Sequence, residues 1–243
     1  MDDSTKKQYS DEAHQLIAER VENVKRYYSR MREAYQTPYG FPNLDPVRHE
    51  ASLSIILGLF QAGITMTNHL VEALMKIAII SMEAKEDSEV QPDQEKDVVD
   101  SFIDKHKPSQ DKYGAANLYN NINKVFSLGL IDDAQKDYLQ ACRENFRNAY
   151  GHADKAKTFG QSVMPVQGIR LHPDGFELQE QKEVKVADLL IGQGIAQAII
   201  AERSAPVYFL SVDAIARQIL KRIFGDDIES SAAFSVEPKD NGP

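Results

Sequence analysis

Asn117-Leu-Tyr-Asn-Asn-Ile-Asn-Lys-Val-Phe-Ser-Leu-Gly-Leu-Ile131-Asp132-Asp133 is the stretch from which the rest of the chain can be read. Leu118, Ile122 and Val125 recur at helical spacing and share one face, which predicts a helix over Tyr113–Leu128. Ser127-Leu-Gly-Leu-Ile131 is a tight turn. Asp132 or Asp133 then caps a second helix that runs to about Tyr150. A loop this short makes the two helices antiparallel neighbours.

Toward the N-terminus the pattern remains helical. Ile17, Val21, Val24, Tyr28, Met31 and Tyr35 are spaced by fours and threes along a long amphipathic helix from Ser10 to about Gln36. Ser10 is the expected N-cap, with Asp11 and Glu12 in the first turn, where the helix dipole favours them. Thr37–Pro46 holds three prolines and a glycine and reads as a loop. Val47 to about Ala84 is the most apolar part of the chain, as one long helix or as two broken near Gly63. Within it Ala51–Val71 carries no formal charge and is close to the length of a membrane span. Gln61, Thr65, Thr67, Asn68 and His69 interrupt it, so a buried core helix is expected and no membrane partner. Lys85–Ser109 is charged and reads as a connection between two helical halves, with Val98, Val99, Phe102 and Ile103 forming one short helix.

Toward the C-terminus the pattern changes. His172-Pro-Asp-Gly175 is a turn signal with alternating residues on both sides, and it predicts a β-hairpin within about 163–186. Two further helices are expected, about Val186–Arg203 and Val212–Phe224, and then a polar, frayed tail over 225–243. Residues 1–224 read as one mainly α domain, an antiparallel helical bundle with a small hairpin insertion.

The composition is that of an ordinary globular chain, 42% hydrophobic and 27% charged in 243 residues. The formal net charge of −9 excludes a polycation that coats a phosphate backbone, so any contact with nucleic acid must use a local patch. Cys142 is the one cysteine, which forbids an internal disulfide and any multi-cysteine zinc site. Met1–Ser10 is polar and lacks the apolar core of a secretory signal, so a cytoplasmic protein is expected.

The stretch richest in chemistry is Arg143-Glu-Asn-Phe-Arg147-Asn148-Ala-Tyr-Gly-His152-Ala-Asp154. Histidine moves protons near neutrality, arginine presents a fork of donors suited to phosphate oxygens, and asparagine orients either partner. Such a set suits metal-independent RNA cleavage, in which the 2′-hydroxyl attacks its own phosphate and no protein nucleophile is needed. Asn148 and His152 are four apart and share a helix face. Arg147 and His152 are five apart, and converge only if the helix ends near Gly151 or a second chain supplies the complementary pair. The same residues also suit plain helix termination, a cation in the last turn followed by glycine.

Arg147-Asn148-x-x-x-His152, with the helix pair before it, resembles the HEPN superfamily (higher eukaryotes and prokaryotes nucleotide-binding domain). The likeness covers about Asn117–Asp154 and does not extend to the Val163–Val186 hairpin. It implies an all-α core, a homodimer whose two motifs face each other, and metal-independent endoribonuclease activity, often in toxin–antitoxin or antiviral defence systems. It would make His152 the acid/base, Arg147 the phosphate contact and Asn148 the positioning residue. Arg143 and Lys155 flank them as candidate RNA contacts. No cofactor or metal is implied; RNA and an antitoxin or regulatory protein are the expected partners. Where one subgroup carries a tyrosine modified by its antitoxin, this chain has Asp154. The rival expectation is a non-catalytic module of the same fold that binds a nucleotide, RNA or protein.

From Asp132 to Lys157, Lys136, Arg143, Arg147, Lys155 and Lys157 balance Asp132, Asp133, Asp137, Glu144 and Asp154, so this stretch is neutral within an acidic chain. Among other candidates, His69 with Glu72 reads as a buried, satisfied histidine, His49 and His172 as solvated, and Cys142 as a core residue. Gly192-Gln-Gly194 sits in a helical pattern and is no phosphate loop.

Overall fold

The computed structural model describes residues 3–86, 107, 112–113, 116–148, 163–172, 175–185 and 190–225. The chain is mainly α. Helix α1 spans Asp3–Gln36, α2 Asp45–Ile56, α3 Phe60–Glu86, α4 Leu118–Ser127, α5 Asp133–Cys142 and α6 Leu190–Phe224. A π-turn, Arg143–Asn148, continues α5, and strands β1 (Val163–His172) and β2 (Gly175–Lys185) form an antiparallel hairpin. Its register pairs His172 with Gly175, as the turn signal between them requires, and slips between Gln167 and Ile169.

Helix α1 begins earlier than its sequence suggests. Ser10 is not its cap, because nothing in residues 4–10 breaks a helix and the Gln8 side chain donates to Glu12 across Ser10 at 2.9 Å. The predicted stripe is half covered: Met31 is fully buried, whereas Ile17 is 60% exposed. The 37–44 loop is held by the Asp45 carboxylate, which accepts from the Tyr39 and Phe41 amides at 2.7 and 2.8 Å.

The apolar run of residues 47–84 is two helices, and the break lies at Leu57–Leu59 rather than near Gly63. Gly58 takes φ +74, and a Cβ there would collide with the Asn23 carboxamide. Gly63 instead lies inside α3 against Ile55, where its missing side chain lets α2 and α3 approach. Among the described residues no helix is long and apolar enough to cross a membrane.

Helix α6 replaces the two predicted C-terminal helices. Pro206 sits inside it and removes only the bond to the Glu202 carbonyl. The stripe Ala201, Ala205, Phe209, Val212 and Ala216 is buried through the proline and keeps the helix continuous. Helices α3 and α6 share the broadest helix–helix interface, and α2, α4 and the π-turn also pack on α3. Leu74 and Ile79 of α3, Phe209 and Ile219 of α6, Ile55 of α2 and Ile122 of α4 form the centre of one core. The predicted short helix near residues 98–103 and the tail after Gly225 lie outside the described residues.

Candidate functional site

The motif is reached through the α4–α5 hairpin, and each turn of that hairpin has a local cause. The Asn117 side chain caps α4 by accepting from the Asn120 amide at 2.9 Å. Gly129, at φ +71, ends that helix and lets the Gly129 and Leu130 amides bond back to Phe126 and Val125. Asp132 then forms a capping box with Gln135: the carboxylate accepts from the Gln135 amide at 2.8 Å, and the Asp132 amide donates to the Gln135 side chain at 3.1 Å. The predicted face is buried, since Leu118, Ile122 and Val125 all point into the core.

Side-chain hydrogen bonds fasten the hairpin to α6, among them one between Tyr138 and Ser211. Gln135 donates to Gln218 at 2.7 Å, and Arg222 donates to the Gly129 carbonyl at 3.0 Å. The hairpin closes on itself where Gln140 donates to the Tyr119 carbonyl at 3.2 Å.

The helix expected to run to about Tyr150 changes geometry at Arg143. Over Arg143–Asn148 the backbone winds as a π-turn, in which positions five apart stack on one side. Arg143 and Asn148 are such a pair. In an α-helix the same separation would set them well over a third of a turn apart. The turn is anchored from below by Phe146, whose ring stacks on Tyr208 at 4.7 Å, and it packs along α3.

Arg143 is half-buried and already engaged. Its Nε donates to Gln140 at 3.0 Å, one terminal nitrogen pairs with Glu144 at 2.9 Å, and the guanidinium lies 5.2 Å from the centre of the Tyr119 ring. Tyr119, which is 49% exposed, and Arg143 thus present an aromatic face backed by a cation at the mouth of the hairpin. Arg147 and Asn148 are placed by their backbone in the π-turn. His152 and Lys155 lie outside the described residues, as does Asp154.

Beneath the turn is a buried polar layer that the sequence pattern did not single out. The Tyr208 hydroxyl donates to the Asn68 side chain at 2.8 Å, and burial pushes the Tyr208 phenol well above its ordinary range. Burial also pushes the Cys142 thiol up to about 11, against the opposing effect of its hydrogen bond with Tyr138. Cys142 is therefore a protonated core residue at neutral pH, as its position implied. The Asn121 side-chain oxygen is buried with no hydrogen-bond partner among the described residues. His69 is exposed on α3, contrary to the expectation of a buried histidine; His49 is exposed as expected, its ring 4.9 Å from that of Tyr35. Among the described residues no group of three or more His, Cys, Asp or Glu side chains is placed to hold a metal ion.

No family model, no curated protein and no solved structure matches this chain. The class its structure defines is a mainly α protein in which a capped helical hairpin delivers an arginine- and asparagine-bearing π-turn to the edge of the core.

Proposed function

We propose that the chain is a HEPN-type, homodimeric, metal-independent endoribonuclease of the cytoplasm. The observation that carries this reading is the π-turn Arg143–Asn148, a rare winding that recurs at functional sites and here takes in the first two residues of the motif, Arg147 and Asn148. Phe146, stacked on Tyr208, holds that turn against the core and so fixes where Arg147 and Asn148 begin. In the proposed reaction the His152 imidazole accepts the proton of an RNA 2′-hydroxyl as that oxygen attacks the adjacent phosphorus. The bond to the 5′-oxygen breaks, the partner's His152 protonates that leaving oxygen, and a 2′,3′-cyclic phosphate remains. Arg147 stabilises charge on the phosphorane, and Asn148 orients the imidazole or the strand. Arg143 and Lys155 hold the strand; Arg143 does so by exchanging its bond to Glu144 for one to a phosphate. An antitoxin or other regulatory protein would bind over this motif.

The test is cleavage of RNA by purified protein in excess chelator, followed by analysis of the new ends. Wild type is expected to leave 2′,3′-cyclic phosphates, and His152→Ala to lose about a hundred- to ten-thousand-fold in rate at an unchanged melting temperature. Sedimentation at micromolar concentration is expected to give a dimer. Equal cleavage by wild type and His152→Ala overturns the catalytic assignment, and a monomer overturns the paired site. RNA binding without cleavage by wild type would establish the non-catalytic module instead.

A further inference from the structure

Lys25-Arg-Tyr-Tyr-Ser-Arg-Met-Arg32 places four cations on α1, with no carboxylate between Glu22 and Glu33, in a chain whose net charge is −9. Arg26 and Arg30 lie one helical turn apart on the side of α1 that meets α6. There the two helices enclose a groove of about 500 Å³ lined by Tyr27, Arg30, Ile199, Glu202, Arg203 and Pro206. Its one carboxylate is already satisfied: Glu202 accepts from Arg26 at 3.0 Å and from the Tyr27 hydroxyl at 2.9 Å. Arg30 and Arg203 are exposed and have neither an ion pair nor a hydrogen-bond partner among the described residues. With Glu202 paired to Arg26 beside the groove, the two guanidinium groups that line it, Arg30 and Arg203, leave it positively charged.

Beside it lies a second, smaller recess of about 290 Å³, walled by Leu59, Phe60, Ala198 and Ala201. The two are separated by one aromatic pair, Tyr27 edge-on to Phe60 at 5.1 Å. From Ala198 to Arg203 the offset along α6 is about 8 Å. The two recesses share one stretch of α6, Ala198 and Ala201 lining the apolar one and Ile199, Glu202 and Arg203 the cationic one.

We infer that the α1–α6 groove binds a nucleotide unit, its phosphate on Arg30 and Arg203 and its base in the Leu59–Phe60 recess. Guanidinium forks match phosphate oxygens, and two of them on opposite helices fix the phosphate from both sides. The flat apolar recess accepts a base of any sequence, as stacking sites do. The nucleotide is either one unit of a single-stranded RNA or a free mononucleotide. Only the choice of RNA over DNA as the strand rests on the ribonuclease reading above.

The experiment measures binding in the His152→Ala background with chelator present, so that cleavage cannot disturb it. A labelled oligoadenylate, adenosine 5′-monophosphate and inorganic phosphate are the three probes. Arg30→Gln with Arg203→Gln is expected to weaken whichever probes bind by tenfold or more. For the strand, it should also lower the slope of log affinity against log salt by about 0.7 per arginine. Tight strand binding with weak monophosphate binding assigns the groove to RNA; equal binding of the two assigns it to a free mononucleotide. Arg30→Lys with Arg203→Lys, which keeps charge and loses the forks, should recover only part of the affinity and controls for folding. The inference is overturned if the glutamine pair binds every probe as its parent does, or if the parent binds none. Loss of cleavage with His152 and loss of binding with Arg30 and Arg203 are separate readouts, so either assignment can fail alone.

Discussion

At the scale of single residues, Cys142 is the most informative titrating group. Its thiol sits in the core at 4% exposure, hydrogen-bonded with Tyr138, whose own phenol is pushed by burial up to about 12. Both groups bind their protons more tightly in the folded chain than in the unfolded one, so both favour folding while they stay protonated. The Cys142 contribution is complete below the unfolded thiol value of about 8.5 and is lost as pH rises toward 11; that of Tyr138 is lost between about 10 and 12. The melting temperature is therefore expected to be insensitive to these groups up to about pH 8 and to fall above it. Cys142→Ala should flatten the first part of that fall, although it lowers stability overall by vacating core volume. A thiol reagent at pH 8 should leave the native chain unlabelled and label one site per chain in denaturant. Rapid labelling of the native protein would remove Cys142 from the core.

At the scale of elements, the helix junctions rest on a few side chains, and these can be tested directly. Asp132 satisfies the first turn of α5 and fixes the angle at which the hairpin leads into the π-turn. Asp132→Ala is expected to cost about 1 kcal/mol, a fall of roughly 2–4 °C in melting temperature, while Asp132→Asn should retain most of the cap. No change with alanine would mean that tertiary packing alone sets this helix start. These junctions were legible in the sequence because their chemistry is local: an aspartate at 132 or 133 before α5, Gly129 in a turn, and prolines after Thr37, although the loop ends at Leu44 and Pro46 already lies in the first turn of α2. Other features depend on distant residues and were not legible. Which of Gly58 and Gly63 breaks the apolar run is decided by Asn23 and Ile55, not by the glycines themselves. Pro206 reads as a break until the buried stripe on both sides of it is known. Arg143–Asn148 holds a single apolar residue, Phe146, so no apolar spacing tells a π-turn from an α-helix there, and the pattern predicted α5 through Tyr150. For the site, residue types in Arg143–His152 were readable, but the engagement of Arg143 by Tyr119 spans the hairpin, and the arginine groove joins residues more than 170 apart.

At the scale of the whole molecule, a buried polar knot ties the first helices to the last. The Tyr39 hydroxyl donates to one Asp213 oxygen at 2.8 Å, and Arg217 donates to the other at 3.0 Å and to the Thr37 carbonyl at 2.6 Å. Buried Arg48 reaches the Ala34 carbonyl from α2 and lies over the same Tyr39 ring, 5.4 Å from its centre. The loop between α1 and α2 is thus fastened to α6 from above and to α2 from below, so none of the three separates without stranding a polar group. Asp213 is the centre, at 6% exposure, and its loss is the sharpest probe of this arrangement. Asp213→Ala leaves a buried phenol without its acceptor and a partly buried guanidinium without its countercharge. Removing one partner of a buried, hydrogen-bonded charge typically costs about 3–5 kcal/mol, and Arg217, being partly exposed, recovers some of that through water. About 3 kcal/mol is expected, a fall of roughly 6–12 °C for a chain of this size. Tyr39→Phe removes only one charge-assisted bond and should cost about half as much. Denaturant titration of both variants checks the ranking. If the knot joins the halves of one cooperative unit, the transitions stay single and shift together. Two separate transitions in Asp213→Ala would show that α1–α2 and α6 belong to units that fold independently.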